Sequence, residues 1–138
     1  HRDSLLRRLQ AHGVNVSAAI EQGSYLALDA AEALSKFMVN DMLDPVRFFK
    51  GLGSLIATAA GTAKGEQSRV AIFGECVQLL WEQGEVEAAI QFEKLGNQLA
   101  DMYDVNILCG YSLGSFQGGT DNHVFEKICA EHSAVHSQ

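Results

Sequence analysis

The fold class of this chain is decided by residues 69–111, which read RVAIFGECVQLLWEQGEVEAAIQFEKLGNQLADMYDVNILCGY. Two short apolar segments, residues 69–73 and 105–109, enclose a longer amphipathic segment. A short run that is continuously apolar is typical of a strand covered on both faces, as strands are in parallel sheets. The longer segment has the length and periodicity of a helix and follows a break at Gly84. The pattern predicts half of an α/β core, with polar side chains at both strand exits.

The predicted helix at residues 85–102 has two distinct faces when it is drawn at about 100° per residue. One face carries the apolar residues Ala88, Phe92, Leu95 and Leu99. The neighbouring strip carries the small residues Ala89, Gly96 and Ala100. Glu93 and Asn97 border that strip. Because small side chains leave room beside them, we expect space where these two polar side chains emerge.

The remainder of the chain gives alternating helix and strand signals without a linker or a repeat. Residues 24–28 (SYLAL) are short and apolar and are predicted to form a third buried strand. Asp29 and Asp44 each stand where an aspartate caps a following helix, and a last helix begins at Thr120 or Asp121. The predicted order is α-β-α-α-β-α-α-β-α. This order indicates an α/β fold with a mainly parallel sheet, covered by helices on both faces and joined by right-handed crossovers.

Length and charge limit the classes of protein to which the chain can belong. With 138 residues it has the size of one domain, and residues 1–138 are predicted to form a single core. Seventeen acidic residues against ten basic ones give a net charge of −7, which would repel nucleic acid and anionic lipid. No apolar run approaches the roughly 20 residues that cross a bilayer. We therefore predict a cytoplasmic protein with reduced cysteines and without a direct nucleic-acid or membrane partner.

Familiar catalytic and cofactor motifs do not account for this sequence. It has neither a GxxxxGK[ST] phosphate loop nor a GxGxxG fingerprint after a strand, so no nucleotide cofactor is predicted. We do not interpret residues 110–114 (GYSLG) as the nucleophile elbow of a hydrolase. Among the five histidines, His132 and His136 form an i, i+4 pair at a helix end, and we predict no metal site from it. No catalytic residue is predicted.

The strand exits provide the candidate binding site. Open parallel sheets bind ligands outside the carboxyl ends of their strands, and Glu75 and Tyr111 follow the two strands of residues 69–111. If the strands are parallel, these side chains project over one edge, where Asn97 adds an amide and Cys109 and Glu93 form the wall. These five residues are the predicted ligand-binding site. Alternatively, Glu75 caps the next helix, Tyr111 is a core aromatic residue, and Glu93 and Asn97 form a surface pair.

The same residues carry a resemblance to a known family. The MEDS family, the sensory domain of methanogens and methylotrophs named after a dichloromethane-responsive regulator, has the pattern FGE-M-x-x-LLW-x-x-G-x-x-x-AA-x-x-LE-x-LWN-x-L followed by LLC-x-Y. Residues 73–99 and 107–111 resemble this pattern, and residues 1–48 resemble the upstream part of the family. The resemblance therefore covers nearly the whole chain. Cys76 and Gly96 depart from it, because the family has methionine and tryptophan at these positions.

The resemblance implies a non-enzymatic, small-molecule-sensing domain of a prokaryotic signal-transduction protein, directed at hydrocarbon derivatives. It implies an attached histidine kinase or DNA-binding output domain and a strand order similar to RecA/KaiC-like ATPases that have lost their phosphate loop. It also implies that two N-terminal strands and a helix belong before His1 and are missing here. Because an unpaired apolar edge recruits other chains, we expect a homodimer.

Two other functions stay open at this point. A protein interaction or dimerisation module could keep a RecA-like frame without a small-molecule ligand. A degraded ATPase could retain Glu75 as a catalytic carboxylate, although no phosphate loop accompanies it.

Overall fold

Helices form most of the described chain. The computed structural model describes residues 2–62, 69–112 and 121–135. The helices are α1 (Arg2–Ala11), α2 (Val16–Glu21), α3 (Ala30–Phe37), α4 (Pro45–Thr62), α5 (Cys76–Glu82), α6 (Val86–Tyr103) and α7 (Asp121–Ala130). The strands are β1 (Met38–Val39), β2 (Met42–Leu43), β3 (Ala71–Gly74) and β4 (Asn106–Cys109). In these described ranges, no helix has both the length and the apolar character that a membrane span requires.

The two apolar segments of residues 69–111 form the parallel pair β3 and β4. The register places Phe73 opposite Leu108 and Gly74 opposite Cys109. Beyond the last pair, the Gly110 N–H donates to the Gly74 carbonyl at 2.9 Å and extends the ladder by one bond. Helices α5 and α6 connect the two strands, as a parallel pair requires. The two strands predicted in this stretch and their parallel pairing are confirmed.

The third predicted strand, residues 24–28, is wrong. The Ser24 amide donates to the Ala19 carbonyl at 2.9 Å, so it closes the end of the unpredicted helix α2 instead of joining a sheet. Leu26 and Leu28, which a buried strand would cover, are 42% and 55% exposed. The segment has the apolar composition of a strand but its amides are used by the preceding helix.

The parallel pair is covered on one face in the described part of the chain. Ile72 and Ile107 are half-buried and pack against the core. Phe73 and Leu108 point to the opposite face, because side chains alternate along a strand, and are 42% and 62% exposed. The described residues therefore form a mainly helical α/β domain with a small parallel sheet, and a RecA/KaiC-like sheet covered on both faces is not found among them.

The starts of two helices follow the aspartate signals in the sequence. An Asp29 side-chain oxygen accepts from the Glu32 N–H at 2.9 Å and caps α3. An Asp44 side-chain oxygen accepts from the Arg47 N–H at 2.9 Å in the first turn of α4. Each carboxylate satisfies an amide that has no partner inside its helix. Both predicted helix starts are confirmed.

The core lies where α3, α4, α5 and α6 meet. Phe48 is fully buried and packs edge-to-face against Phe37, Phe49 and Phe92, with ring centroids 5.5, 5.6 and 5.2 Å away. Trp81 is half-buried and packs against this core. The aromatic packing fixes α6 against α4, which places the other side of α6 toward β4.

Candidate functional site

Helix α6 brings a glutamate to the covered face of the parallel pair. Glu93 lies one helical turn after Ala89, so the two side chains share one face of the helix. Ala89 is fully buried and Glu93 is only 4% exposed. Removing a carboxylate from water is costly unless neighbouring groups donate to it or carry positive charge. The surroundings of Glu93 therefore decide what this part of the molecule can bind.

Three side chains surround the Glu93 carboxylate. The Tyr111 hydroxyl donates to Oε1. The Cys109 thiol donates to Oε2, with 3.8 Å between sulfur and oxygen. The Nε2 atom of His132 lies 3.4 Å from Oε2. We call Glu93, Cys109, Tyr111 and His132 the Glu93 cluster.

The pleat of β4 explains why Cys109 and Tyr111 meet Glu93. Alternate residues of a strand share a face, and Ile107 and Cys109 are the half-buried residues of β4. Tyr111 follows at the same spacing, and Leu108 points away to the open face. The side of β4 that faces α6 thus presents a thiol and then a phenol.

His132 reaches the cluster from the segment after α7. Its Nδ1 lies 2.8 Å from the Ile128 carbonyl oxygen, so Nδ1–H donates there and Nε2 is directed at Glu93. Nε2 also lies 3.5 Å from the Tyr111 hydroxyl. The imidazole and the Tyr111 ring pack edge-to-face, with centroids 5.8 Å apart and an interplanar angle of 80°. These contacts hold the imidazole in one orientation.

Burial and the Glu93 carboxylate keep the neighbouring acids protonated. Burial, followed by the charge of Glu93 and its hydrogen bond, raises the pKa of Cys109 to about 12. Burial and the hydrogen bond to Glu93 also raise the pKa of Tyr111. The pKa of Cys129 is raised by burial and by Glu93 as well. Because a nucleophilic cysteine must be a thiolate, Cys109 in this protonation state donates hydrogen bonds rather than attacking a substrate.

The other two predicted site residues lie at the margin of the Glu93 cluster. Asn97 is exposed, and its Nδ2 donates to the Glu131 carbonyl oxygen at 2.6 Å, which ties α6 to the segment after α7. Glu75 is half-buried at the position before α5 and makes no side-chain cap bond to that helix. Its Cγ lies beside Gly110, 3.8 Å from the position that a Cβ would take there. Glu75 and Tyr111 follow parallel strands and therefore lie at one edge of the sheet.

The strip of small residues on α6 is only partly open. Ala89 is fully buried, so no space is left there. A Cβ at Gly96 would have no described heavy atom within 4 Å. The room expected on this helix is therefore beside Asn97 and not beside Ala89.

Sequence reasoning missed His132 as a member of the site. The sequence singles out His132 through its i, i+4 spacing to His136, a residue that lies outside the described part of the chain. In the structure, His132 contacts Glu93, which lies 39 positions earlier in the chain. Such a contact depends on how α7 packs on α6 and leaves no local pattern.

Residues 110–114 match the G-x-S-x-G pattern, with Ser112 in the position of the nucleophile. The sequence alone therefore does not exclude a hydrolase elbow. The Ser112 N–H donates to the Gln78 side-chain oxygen at 2.8 Å, and residues 113–120 lie outside the described part of the chain. A serine nucleophile needs an adjacent base. His132, the histidine of the Glu93 cluster, is held by Glu93, Tyr111 and the Ile128 carbonyl instead.

An open groove of about 480 Å³ lies on another part of the surface, between α3 and α4. Its lining includes the apolar residues Leu28, Phe37 and Leu55 and the basic residues Lys36 and Arg47. The Lys36 ammonium is bound to the Glu32 carboxylate at 2.8 Å. None of the residues of the Glu93 cluster lines this groove.

Comparison with known protein families gives a match over most of the chain. Residues 1–127 match the family model described as MEDS, the methanogen/methylotroph, DcmR sensory domain. No curated protein and no solved structure matches. The matched range contains Glu93, Cys109 and Tyr111 but ends before His132.

Proposed function

The chain belongs to the MEDS family of sensory domains, and we propose that it senses a small molecule as a non-enzymatic regulatory domain of a prokaryotic signal-transduction protein. The observation that carries the proposal is the buried Glu93 carboxylate, surrounded by neutral hydrogen-bonding groups at the carboxyl edge of the parallel pair. Ligands of α/β proteins bind at such an edge. The proposed ligand-binding residues are Glu75, Glu93, Asn97, Cys109, Tyr111 and His132.

The chemistry of the Glu93 cluster favours a small ligand with one polar group. Glu93 accepts a hydrogen bond, and the Tyr111 hydroxyl donates or accepts. The half-buried side chain of Ile107 and the open space at Gly96 can take an apolar body. A short alcohol has this combination of groups, and a halocarbon, which cannot donate to Glu93, could accept a weak hydrogen bond from Tyr111.

Two contacts from the site to the segment after α7 provide a route to an output. Glu93 contacts the His132 imidazole at 3.4 Å, and Asn97 donates to the Glu131 carbonyl at 2.6 Å. A ligand that weakens either contact favours the state in which this segment is released. The shift equals the difference in affinity of the ligand for the two states. We propose that an attached kinase or DNA-binding domain reads this change.

A thermal-shift screen of the full chain tests the proposal. Short alcohols, halocarbons and nucleotides are added separately, and a binding ligand at about 100 times its dissociation constant should stabilise the fold by about 2.7 kcal/mol. We expect stabilisation by an alcohol or a halocarbon. Glu93→Gln and Tyr111→Phe should lose the shift relative to their own ligand-free melting temperatures.

Matched variants separate recognition from general effects on stability. Glu87→Gln changes an exposed glutamate of the same helix, and Tyr25→Phe changes a half-buried tyrosine that is not a member of the cluster. Both should keep the wild-type shift. Stabilisation by a nucleotide alone would favour the degraded ATPase, and an equal shift in Glu93→Gln and wild type would contradict the assignment of the site.

The open face of the parallel pair supports a second function, a protein interaction or dimerisation module. Phe73 and Leu108 lie opposite each other in the register and are 42% and 62% exposed. Adjacent exposed apolar side chains on a sheet are typical of surfaces that bind another protein. This function requires no ligand at the Glu93 cluster, so the same screen distinguishes it from the first.

A further inference from the structure

We propose that Glu93, Cys109 and His132 bind a transition-metal ion such as Zn²⁺. The inference deepens the proposed sensory function and rests on it, because the ion would lie in the same site and would be the centre that holds the small ligand. It uses one residue, His132, that the family match does not reach.

The positions of the three donor atoms fit a single tetrahedral ion. Glu93 Oε2 lies 3.4 Å from His132 Nε2 and 3.8 Å from Cys109 Sγ, and the donor atoms of all three residues lie within 4.8 Å of one another. Zinc bonds of about 2.0 to 2.3 Å at a tetrahedral angle place two donor atoms about 3.4 to 3.6 Å apart. The two separations from Glu93 Oε2 lie at or close to this range, so the three donor atoms are near enough to one another to share one ion.

The types of donor select the class of metal. A thiolate and an imidazole suit Zn²⁺ and other transition metals, whereas Ca²⁺ and Mg²⁺ take sets of oxygen ligands. Three protein ligands leave the fourth position of a tetrahedral ion for water or an added molecule, as in zinc sites that act on small molecules. An alcohol could coordinate there, which connects the ion to the proposed sensing function.

The groups behind the donor atoms are also arranged as in metal sites. Ligating histidines usually donate their second N–H to a carbonyl or a carboxylate, and His132 Nδ1 lies 2.8 Å from the Ile128 carbonyl oxygen. Ligating carboxylates are usually hydrogen-bonded in turn, and the free oxygen of Glu93 accepts from Tyr111. These two contacts fix both ligands without using the atoms that would bind the ion.

Charge gives an independent reason for a cation at this place. Glu93 is 4% exposed, and its described contacts are a phenol, a thiol and an imidazole. A divalent ion would compensate the buried carboxylate. As the bond from sulfur to the metal forms, the Cys109 thiol releases its proton to solvent, so binding should release one proton when the imidazole is neutral.

Direct metal binding tests the inference without any organic ligand. The full chain is stripped with a chelator and titrated with Zn²⁺ by calorimetry and with Co²⁺ by absorption. We expect one ion per chain and a thiolate-to-cobalt charge-transfer band. Substitution of a residue that only supports a metal ligand weakens binding by about 10- to 100-fold. Because Cys109 and His132 are themselves ligands, Cys109→Ala and His132→Ala should each weaken binding by more than this. Cys76→Ala and His123→Ala should bind as the wild type does.

A further variant keeps the test decisive if a ligand substitution unfolds the chain. Tyr111→Phe keeps all three ligands and should weaken Zn²⁺ binding by about 10- to 100-fold. The inference is overturned if the wild type binds neither ion, or if folded Cys109→Ala binds as tightly as wild type. A metal-free chain that still responds to alcohols would remove the metal site and keep the proposed function. A chain that binds Zn²⁺ but responds to no organic molecule would keep the metal site and remove the proposed function.

Discussion

Glu93 is the residue whose surroundings determine the chemistry of this domain. Its carboxylate is almost completely buried, and its two oxygens are shared among Tyr111, Cys109 and His132. A buried carboxylate with this set of partners is tolerated only while the donors remain in place. Single substitutions in the cluster should therefore change stability as well as binding.

The hydrogen bond from Tyr111 to Glu93 should stabilise the folded state measurably. Tyr111→Phe removes the donor and leaves a buried acceptor, which costs about 1 to 3 kcal/mol. Urea unfolding monitored by circular dichroism measures the difference. Tyr25→Phe is the matched control and should be nearly neutral. The double variant Tyr111→Phe with Glu93→Gln should cost less than the sum of the single changes, and strict additivity would contradict the coupling.

Cys76 should make the fold less stable in alkali. Burial, followed by the charges of Glu75 and Asp29, raises its pKa from 9.0 to about 11. The folded state holds this proton more tightly than the unfolded state, so the stabilisation is complete below about pH 9 and is lost as the pH rises toward 11. The melting temperature of wild type should fall more steeply over this range than that of Cys76→Ala. Parallel pH profiles of the two proteins would contradict this prediction.

At the scale of helices, a close approach between α3 and α4 limits which side chains fit between these neighbours. A Cβ on Gly51 of α4 would lie 2.6 Å from the Cε1 atom of Phe37, a buried residue of α3. The absence of a side chain at Gly51 therefore allows α3 and α4 to pack closely. Gly96 of α6 has no such neighbour among the described atoms.

Gly51→Ala and Gly96→Ala should therefore have opposite effects. Alanine is favoured over glycine inside a helix by about 1 kcal/mol, so Gly96→Ala should stabilise the fold by up to that amount. Gly51→Ala forces Phe37 out of its position, and overpacking costs about 1 to 3 kcal/mol. Chemical denaturation of both variants gives the two values. Equal changes in stability would show that α3 and α4 are not packed as closely as described.

At the scale of the whole molecule, a net charge of −7 coexists with an apolar patch on the open face of the parallel pair. The patch is formed by Phe73 and Leu108, which are paired across the two strands. Exposed apolar surface of this kind promotes association, and the negative charge opposes it. Dimerisation therefore stays a prediction that depends on which effect is larger.

A single positive charge introduced into this patch tests whether the chain associates through it. We expect the full chain to show concentration-dependent dimerisation in sedimentation experiments, and Leu108→Lys should shift it to monomer. Val46→Lys is the matched control, because Val46 is 74% exposed on α4 and lies outside the patch. A wild type that remains monomeric at tens of micromolar, or a Leu108→Lys variant that dimerises normally, would exclude this surface as the dimer interface.

Local signals in the sequence determined the capped helices, the two parallel strands and part of the Glu93 cluster. Asp29 and Asp44 start helices because a short side chain can satisfy an amide within the next turn, wherever the helix later packs. Cys109 and Tyr111 share a face because alternation is a property of any extended backbone. These relations span only a few residues along the chain, so they can be recognised from the sequence alone.

Tertiary structure alone decided the rest. Residues 24–28 are as apolar as a strand, but their first amide closes α2, and no composition rule shows that competition. The burial of Glu93 follows from the packing of α6 against β4, and His132 meets it only because α7 returns to α6. Contacts between distant segments depend on the positions of whole elements. A sequence specifies those positions through many weak interactions together, and not through a pattern at the contacting residues themselves.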